Sequence, residues 1–263
     1  MLVEKIKKWL NSNSPPVPPI EIRNNAIESA VEEFRGAIIK HFLDRNKRTG
    51  DAVLSASGIG KCTRQSAYYY HGFEGKPLEA RARVTMFVGD VYESLVKLLI
   101  KFSGEIVENE QKEINVRGIP GHIDFTHNNV LFDNKSMSAV GFKIEQESGI
   151  DDTFGYKTQI SLYADGMKLP ARHIIFNKNT GEMEEISVSP DASLLAKAER
   201  KVKIIKESSK DKLPPRDFSA QVEKGSGRLY LGVECQYCAF KTLCWDITES
   251  KHIKGTYTRE YVR

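Results

Sequence analysis

Four cysteines constrain this chain more than any other feature. Three sit in "VECQYCAFKTLCW" as Cys235, Cys238 and Cys244, spaced C-x2-C-x5-C, while Cys62 stands alone far upstream. Close spacing lets one turn aim several thiolates at a single centre. Three thiolates leave a four-ligand site one short, and no His lies inside the triplet; the nearest is His252. The start, "MLVEKIKKWLNSNSPPVPP", lacks the apolar centre of a signal peptide, so a reducing cytoplasm is the default. There, four Cys read as metal ligands rather than as two disulfides. With Cys62 as fourth ligand, a metal would tie position 62 to position 235. In the alternative, Cys62 is a small buried hydrophobe and the triplet binds zinc with His252. All-thiolate ligation suits zinc and an iron–sulfur cluster alike, and the chemistry alone does not separate them.

The setting of Cys62, "GIGKCTRQ", invites comparison with a phosphate-binding loop, G-x-x-x-x-G-K-[ST]. With Gly60-Lys61 as the G-K pair, Ser55 stands where the first glycine belongs and Cys62 where a hydroxyl should bind a metal. Two of four fixed positions fail, which sets nucleotide hydrolysis aside. The net charge of +4, from 39 Lys+Arg against 35 Asp+Glu, is mildly basic and does not by itself imply nucleic acid. The basic residues do cluster, in "RNKR" ending at Arg48, in "KAERKVKIIK" at 197–206 and in the tail "KHIKGTYTREYVR". Each reads first as a solvated face. No apolar run approaches the roughly 18 residues that cross a membrane.

Periodicity gives a mixed α/β reading. Leu2, Val3, Ile6, Trp9 and Leu10 fit a short amphipathic helix, and "SNSPPVPP" an extended linker. Residues 80–102 carry apolar side chains at helical spacing. Three strand-like runs follow at 105–116, 121–127 and 130–137, then a helix at 152–167. A hairpin turning at "NTG" and a helix over 191–210 come next, with Asp191 as its N-cap. This order indicates one mixed sheet flanked by helices.

The second and third strands are separated by Asn128-Asn129, and Asn tolerates the left-handed backbone of a two-residue hairpin turn. His127 then pairs with Val130, Asp124 falls opposite Asp133 and His122 opposite Lys135. Ile123, Phe125 and Phe132 point to the other face. Facing carboxylates, with Cβ atoms roughly 5 Å apart, repel and raise each other's pKa. A cation between them removes that cost, and oxygen ligands suit Mg²⁺ or Mn²⁺ rather than zinc.

At this point the residues resemble a family. "GHID" and "DNK" look like the core of the PD-(D/E)XK nuclease superfamily. One Cys before that core and C-x2-C-x5-C after it is similar to the RecB/AddB-like nucleases that carry a four-iron, four-sulfur cluster. CRISPR-associated RecB-like exonucleases and related phage exonucleases belong there. "LSASGIGKCTRQSAYYYHG" is similar to that family's first-cysteine segment, "GDVYE" to its G-x-x-x-(H/E) segment at Glu93, and "QISLY" to its Q-x-x-x-Y motif at Gln159 and Tyr163. The likeness runs from about Ser55 to Trp245. There are departures: Asn134 stands where the family has an apolar residue, position 93 is Glu where many relatives have His, and residues 1–50 match nothing.

The resemblance implies a restriction-endonuclease-like mixed sheet flanked by helices, with a helical and C-terminal subdomain tied by the cluster. The expected divisions are an N-terminal helical extension (1–50), a helical segment with Cys62 and Glu93 (51–104), a nuclease core (105–210), and the cysteine segment with its basic tail (211–263). It implies a metal-dependent DNA exonuclease, with 5′-to-3′ polarity favoured, acting on single strands or duplex ends. Protein partners in a recombination, repair or CRISPR-type complex are conceivable, and no membrane is implied. Glu93, Asp124 and Asp133, with the backbone carbonyl of Asn134, would hold Mg²⁺ or Mn²⁺. Lys135 would orient water or stabilise the pentavalent phosphorus. Gln159 and Tyr163 would position DNA or Lys135. Cys62, Cys235, Cys238 and Cys244 would hold the cluster. Lys61 and Arg64 would grip phosphates, and Tyr68, Tyr69 and Tyr70 offer rings for base stacking or for core packing. A DNA-end-binding or adaptor protein that keeps the fold without cleaving is the reading from another class.

Overall fold

The computed structural model describes residues 1–43, 49–77, 80–149, 152, 154–252 and 258–263. The "RNKR" run and residues 253–257 of the basic tail lie outside them. Helices α1 (Leu2–Leu10) and α2 (Ile20–Ile38) open the chain; α3 (Ala56–Ile59) and α4 (Thr63–Tyr70) flank Cys62; α5 (Ala80–Phe102) follows. Then come β1 (Glu113–Val116), β2 (Ile119–His122), β3 (Phe125–His127) and β4 (Val130–Met137), with α6 (Ala139–Ser148) and α7 (Tyr156–Met167) before β5 (Ala171–Asn177) and β6 (Met183–Val188). Helix α8 (Ala192–Glu207) leads to β7 (Gln221–Val222), β8 (Leu229–Tyr230), α9 (Val233–Gln236), α10 (Lys241–Cys244), β9 (Ile247–His252) and β10 (Thr258–Val262). The fold is mixed α/β. Among the described residues no helix is long and apolar enough to cross a membrane.

The chain forms two units. One comprises Met1–Lys47, Glu79–Asp151 and Ile160–Ala192, the other Arg48–Leu78, Asp152–Gln159 and Ser193–Arg263. The first holds a four-stranded sheet in the order β3-β4-β5-β6, with β4 and β5 parallel and the outer pairs antiparallel. Alternation along β4 and β5 puts Phe132, Ile174 and Phe176 into one core with Phe125, Met183, Leu2, Val3 and Ile6 of α1, and Val96 and Ile100 of α5. The rings of Phe125 and Phe132 stack at 5.3 Å. Fully burying side chains of this size is worth about 1.5–3 kcal/mol each.

The β3–β4 turn is the expected one. Asn128 and Asn129 have φ of 48° and 58°, and His127 pairs with Val130, Thr126 with Leu131 and Phe125 with Phe132. The ladder ends there. Ile123 N donates to Lys112 O and Gln111 N to Asp124 O, so the chain leaves β4 before Asp124. His122 therefore pairs with Glu113 of β1, in a separate two-stranded sheet, and not with Lys135. Among the described residues, the single sheet read from periodicity is one of three. The third, β7-β8-β10-β9 in the second unit, includes the tail: Tyr261 and Val262 are buried, not solvated.

One further expectation changes in the second unit. Lys201, read as part of a solvated basic face, is buried, its Nζ 2.6 Å from Lys61 O and 3.4 Å from both Ile59 O and Gly60 O. Burial lowers its pKa. The lysine thus satisfies the carbonyls of the turn that resembled a phosphate loop. At the start of α4, Thr63 N and Oγ1 both donate to Asp217 Oδ2 at 2.8 Å, so a carboxylate already occupies the place where a phosphate would sit.

Candidate functional site

Asp133, at the middle of β4, is fully buried. Its Oδ2 lies 2.6 Å from Lys135 Nζ and 2.9 Å from Nδ1 of His173, while its Oδ1 has no hydrogen-bond partner among the described residues. Asp124, one residue before β3, is also buried, and its Oδ2 accepts from Asn134 N at 2.6 Å. Glu93 on α5 is half-buried; its Oε1 accepts from Gln111 Nε2 at 2.8 Å and lies 3.4 Å from Lys97 Nζ.

The electrostatics are unequal. Asp124 is raised well above the usual carboxylate range by burial first, then by the charges of Glu93 and Asp133. Asp133 is held at about 2: burial pushes it up, but Lys135 and His173 together push it down further. The expectation that each acid raises the other's pKa is corrected for Asp133. Its own strand places Lys135 beside it, and the parallel strand places His173 directly across. Glu93 is raised by burial, against the pull of Lys97 and Lys135.

His173 and Lys97 had no role in the sequence reading. His173 is fully buried in β5, and Asp133 pairs with it in the ladder. Its polar ring directly before the apolar run Ile174-Ile175-Phe176, in "ARHIIFN", was the available signal. Lys97 sits four residues after Glu93 on α5 and is likewise buried. One charged residue a helical turn past another was the signal there.

Three adjacent carboxylates, one with a buried and unpartnered oxygen, have the donor chemistry of a divalent-cation site. Two lysines now stand on them, Lys135 on Asp133 and Lys97 on Glu93. Among the described residues, no three His, Cys, Asp or Glu side chains converge closely enough to form a ready ligand set.

The same holds for the cysteines, although all four line one pocket of the second unit, with Arg64, Arg216, Lys241, Tyr68 and Trp245 around them. The cavity between them has a volume of about 20 Å³. Cys62 lines it and His252, at the end of β9, does not. None of the four is in a disulfide, and each is half-buried. Burial, more than the neighbouring sulfurs, pushes Cys235 and Cys238 up to about 11. Arg216 donates twice to Cys244 O and covers the Trp245 ring at 3.9 Å. Asp217 and Glu234 line the pocket as well, so its charged side chains are of both signs, and the four sulfurs are its soft donors.

The remaining candidates are placed as follows. Gln159 and Tyr163 lie one turn apart on α7; Tyr163 is buried, and Gln159 belongs to the second unit. Lys61 is exposed. Arg64 donates to Pro214 O at 2.8 Å. Tyr68 is buried and stacks on Phe240 at 4.8 Å, and Tyr69 meets the same ring edge-on, so these two tyrosines pack the interior instead of offering faces to bases.

No family model matches the chain, and no curated protein matches it significantly. Solved structures give low-scoring likenesses. The crystal structure of SSO0001 is 16% identical over 82% of this chain and 96% of that one, with a TM-score of 0.44. The alkaline exonuclease LHK-Exo from Laribacter hongkongensis is 16% identical over 56% of this chain and 86% of its own, at 0.36. Its complex with dAMP is 13% identical over 58% and 91%, at 0.40. Scores of this size carry no functional inference.

Proposed function

We propose that this chain is a divalent-cation-dependent nuclease that hydrolyses DNA from an end. The observation that carries the reading is the buried Asp133, with a free oxygen on one side and Lys135 at 2.6 Å on the other, next to Asp124 and Glu93. A purely structural ion pair would not need two more partly buried acids beside it. Glu93, Asp124, Asp133 and the carbonyl of Asn134 would hold Mg²⁺ or Mn²⁺. When bound, such an ion lowers the pKa of water and screens phosphate oxygens. Lys135, 2.6 Å from Asp133 Oδ2, would supply the cation for the negative charge that develops on the phosphoryl oxygens. His173 Nδ1 holds the Asp133 carboxylate at 2.9 Å, and it is the family resemblance alone that assigns Tyr163 and Gln159 to positioning DNA.

The pocket cysteines are proposed to hold a four-iron, four-sulfur cluster with a structural role. Four thiol donors lining one pocket with Arg64 and Arg216 support a soft-metal centre, and the motif order supports iron–sulfur over zinc. Iron, sulfide and zinc content of protein purified without oxygen distinguishes them.

The test of activity is cleavage of end-labelled single- and double-stranded DNA with Mg²⁺ or Mn²⁺, with one end blocked in turn; 5′-to-3′ digestion is the expected polarity. Lys135→Ala should bind DNA as the wild type does and cleave at least about a hundredfold more slowly, the usual scale for losing one electrostatic stabiliser. Binding of DNA ends without cleavage by the wild type, under all these conditions, would instead make the chain an end-binding adaptor.

A further inference from the structure

Residues 1–50 match no nuclease motif, yet α2 reaches the carboxylate site through one residue. Lys97 is 2% exposed, and a buried ammonium needs carboxylate partners. It has two. Glu33 Oε1 of α2 lies at 2.7 Å, and Glu93 Oε1 of its own helix at 3.4 Å. Glu33 is itself fixed: its Oε2 accepts from Ser94 Oγ at 2.5 Å, and the neighbouring Phe34 packs on Phe87 of α5 with ring centroids 5.6 Å apart. The ammonium is thus shared: Glu33 makes the shorter contact, while the charge of Glu93 acts on it most strongly.

The consequence follows from what Lys97 would do without Glu33. It cannot stay buried and unpaired. Glu93 and Asp124 are the other acids whose charges act on it, and both are acids of the proposed cation site. An ammonium drawn fully onto either would occupy that site and would have to be displaced before a divalent ion could enter. We propose that Glu33 is a positioning residue for the cation site: as the nearer counter-ion of Lys97, at 2.7 Å against 3.4 Å, it keeps that ammonium from closing fully onto Glu93 and so eases its displacement by a divalent cation. The N-terminal helix is then part of the metal-binding apparatus. This rests on the carboxylate site proposed above.

Equilibrium binding of Mn²⁺ to the whole protein without DNA, followed by the electron paramagnetic resonance of free Mn²⁺, tests it independently of turnover. Wild type should bind and Asp133→Asn should not. Glu33→Gln should weaken binding about tenfold or more, the usual cost of losing a partner behind a metal ligand. Lys97→Met should bind at least as tightly as wild type, and Glu33→Gln combined with Lys97→Met should recover wild-type affinity, because the competing ammonium is gone. A Glu33 that merely staples α2 to α5 would lower the melting temperature without this recovery. The proposal is overturned by wild-type affinity in Glu33→Gln, by a double variant as weak as Glu33→Gln, or by weaker binding in Lys97→Met, the last readable even if Glu33→Gln does not fold. If wild type takes up no Mn²⁺, or Asp133→Asn takes it up equally well, the carboxylate site itself is refuted, an outcome distinct from failure at Glu33 alone.

Discussion

Asp124 and Asp133 are alike in type and burial and opposite in what they do to stability. Asp124 has a raised folded pKa, so its charge costs stability at neutral pH, and that cost is relieved as pH falls through the raised value. Asp133, held at about 2, contributes stability that is present above the usual carboxylate range and is lost as pH falls toward 2. At neutral pH and in the presence of a chelator, Asp124→Asn should therefore melt at or above the wild type; the Asn amide oxygen can still accept from Asn134 N. Asp133→Asn should melt well below it, because the substitution leaves Lys135 facing a neutral group and weakens the contact to His173. Breaking a buried pair in this way costs about 3–5 kcal/mol. Both variants should lose activity, so thermal denaturation separates the two roles that an activity assay would merge. Equal melting temperatures for the two would refute the unequal assignment.

Among the elements, those built from neighbouring residues were legible in the sequence. The turn at Asn128-Asn129 sets the register of β3 against β4 because both residues accept positive φ, and that register places Asp133 and Lys135 on the strand flanked by Phe132. The C-x2-C-x5-C spacing brought Cys235, Cys238 and Cys244 to one pocket for the same local reason. Partners that depend on distant packing were not legible. His173 meets Asp133 only because β4 and β5 run parallel with α6 and α7 between them, and Glu33 meets Lys97 only because α2 packs on α5. The glycines of "GIGK" were read against a phosphate loop, and the structure gives them another reason. A Cβ on Gly60 would lie 2.5 Å from Gly155 Cα and 2.8 Å from Gly155 O, so two backbones touch where any side chain would intrude. Gly155 has φ of 80° and cannot readily change in compensation. Gly60→Ala should thus destabilise by about 1–3 kcal/mol, the cost of overpacking against an unyielding neighbour. Chemical denaturation measures it; a variant as stable as wild type would show that these backbones are free to separate.

At the scale of the molecule, the second unit gathers three separate stretches of chain, and the cysteine pocket draws on two of them, one around Cys62 and one around residues 216–245. One apolar cluster beside that pocket holds Leu231, Trp245 and Val262, with Cys235, Cys244, Ile247 and Ala220 at its edge, and Tyr68 and Phe240 stack in the interior of the same unit. Metal binding to folded thiolate sites is worth on the order of 10 kcal/mol, and it acts only on the folded form. A centre held by Cys62, Cys235, Cys238 and Cys244 would therefore add substantially to this region's stability. It would also close a very long loop, which the unfolded chain rarely closes by itself. Cys62→Ala should lose its bound metal and, with it, amide protection in α4, α9, α10 and the β7-β8-β10-β9 sheet, while β4 and β5 of the first unit stay protected. Hydrogen exchange read alongside iron, sulfide and zinc content checks both parts. A Cys62→Ala protein with full metal content would remove Cys62 from the ligand set. One that loses metal yet keeps protection throughout the second unit would show that the centre is not what holds that unit together.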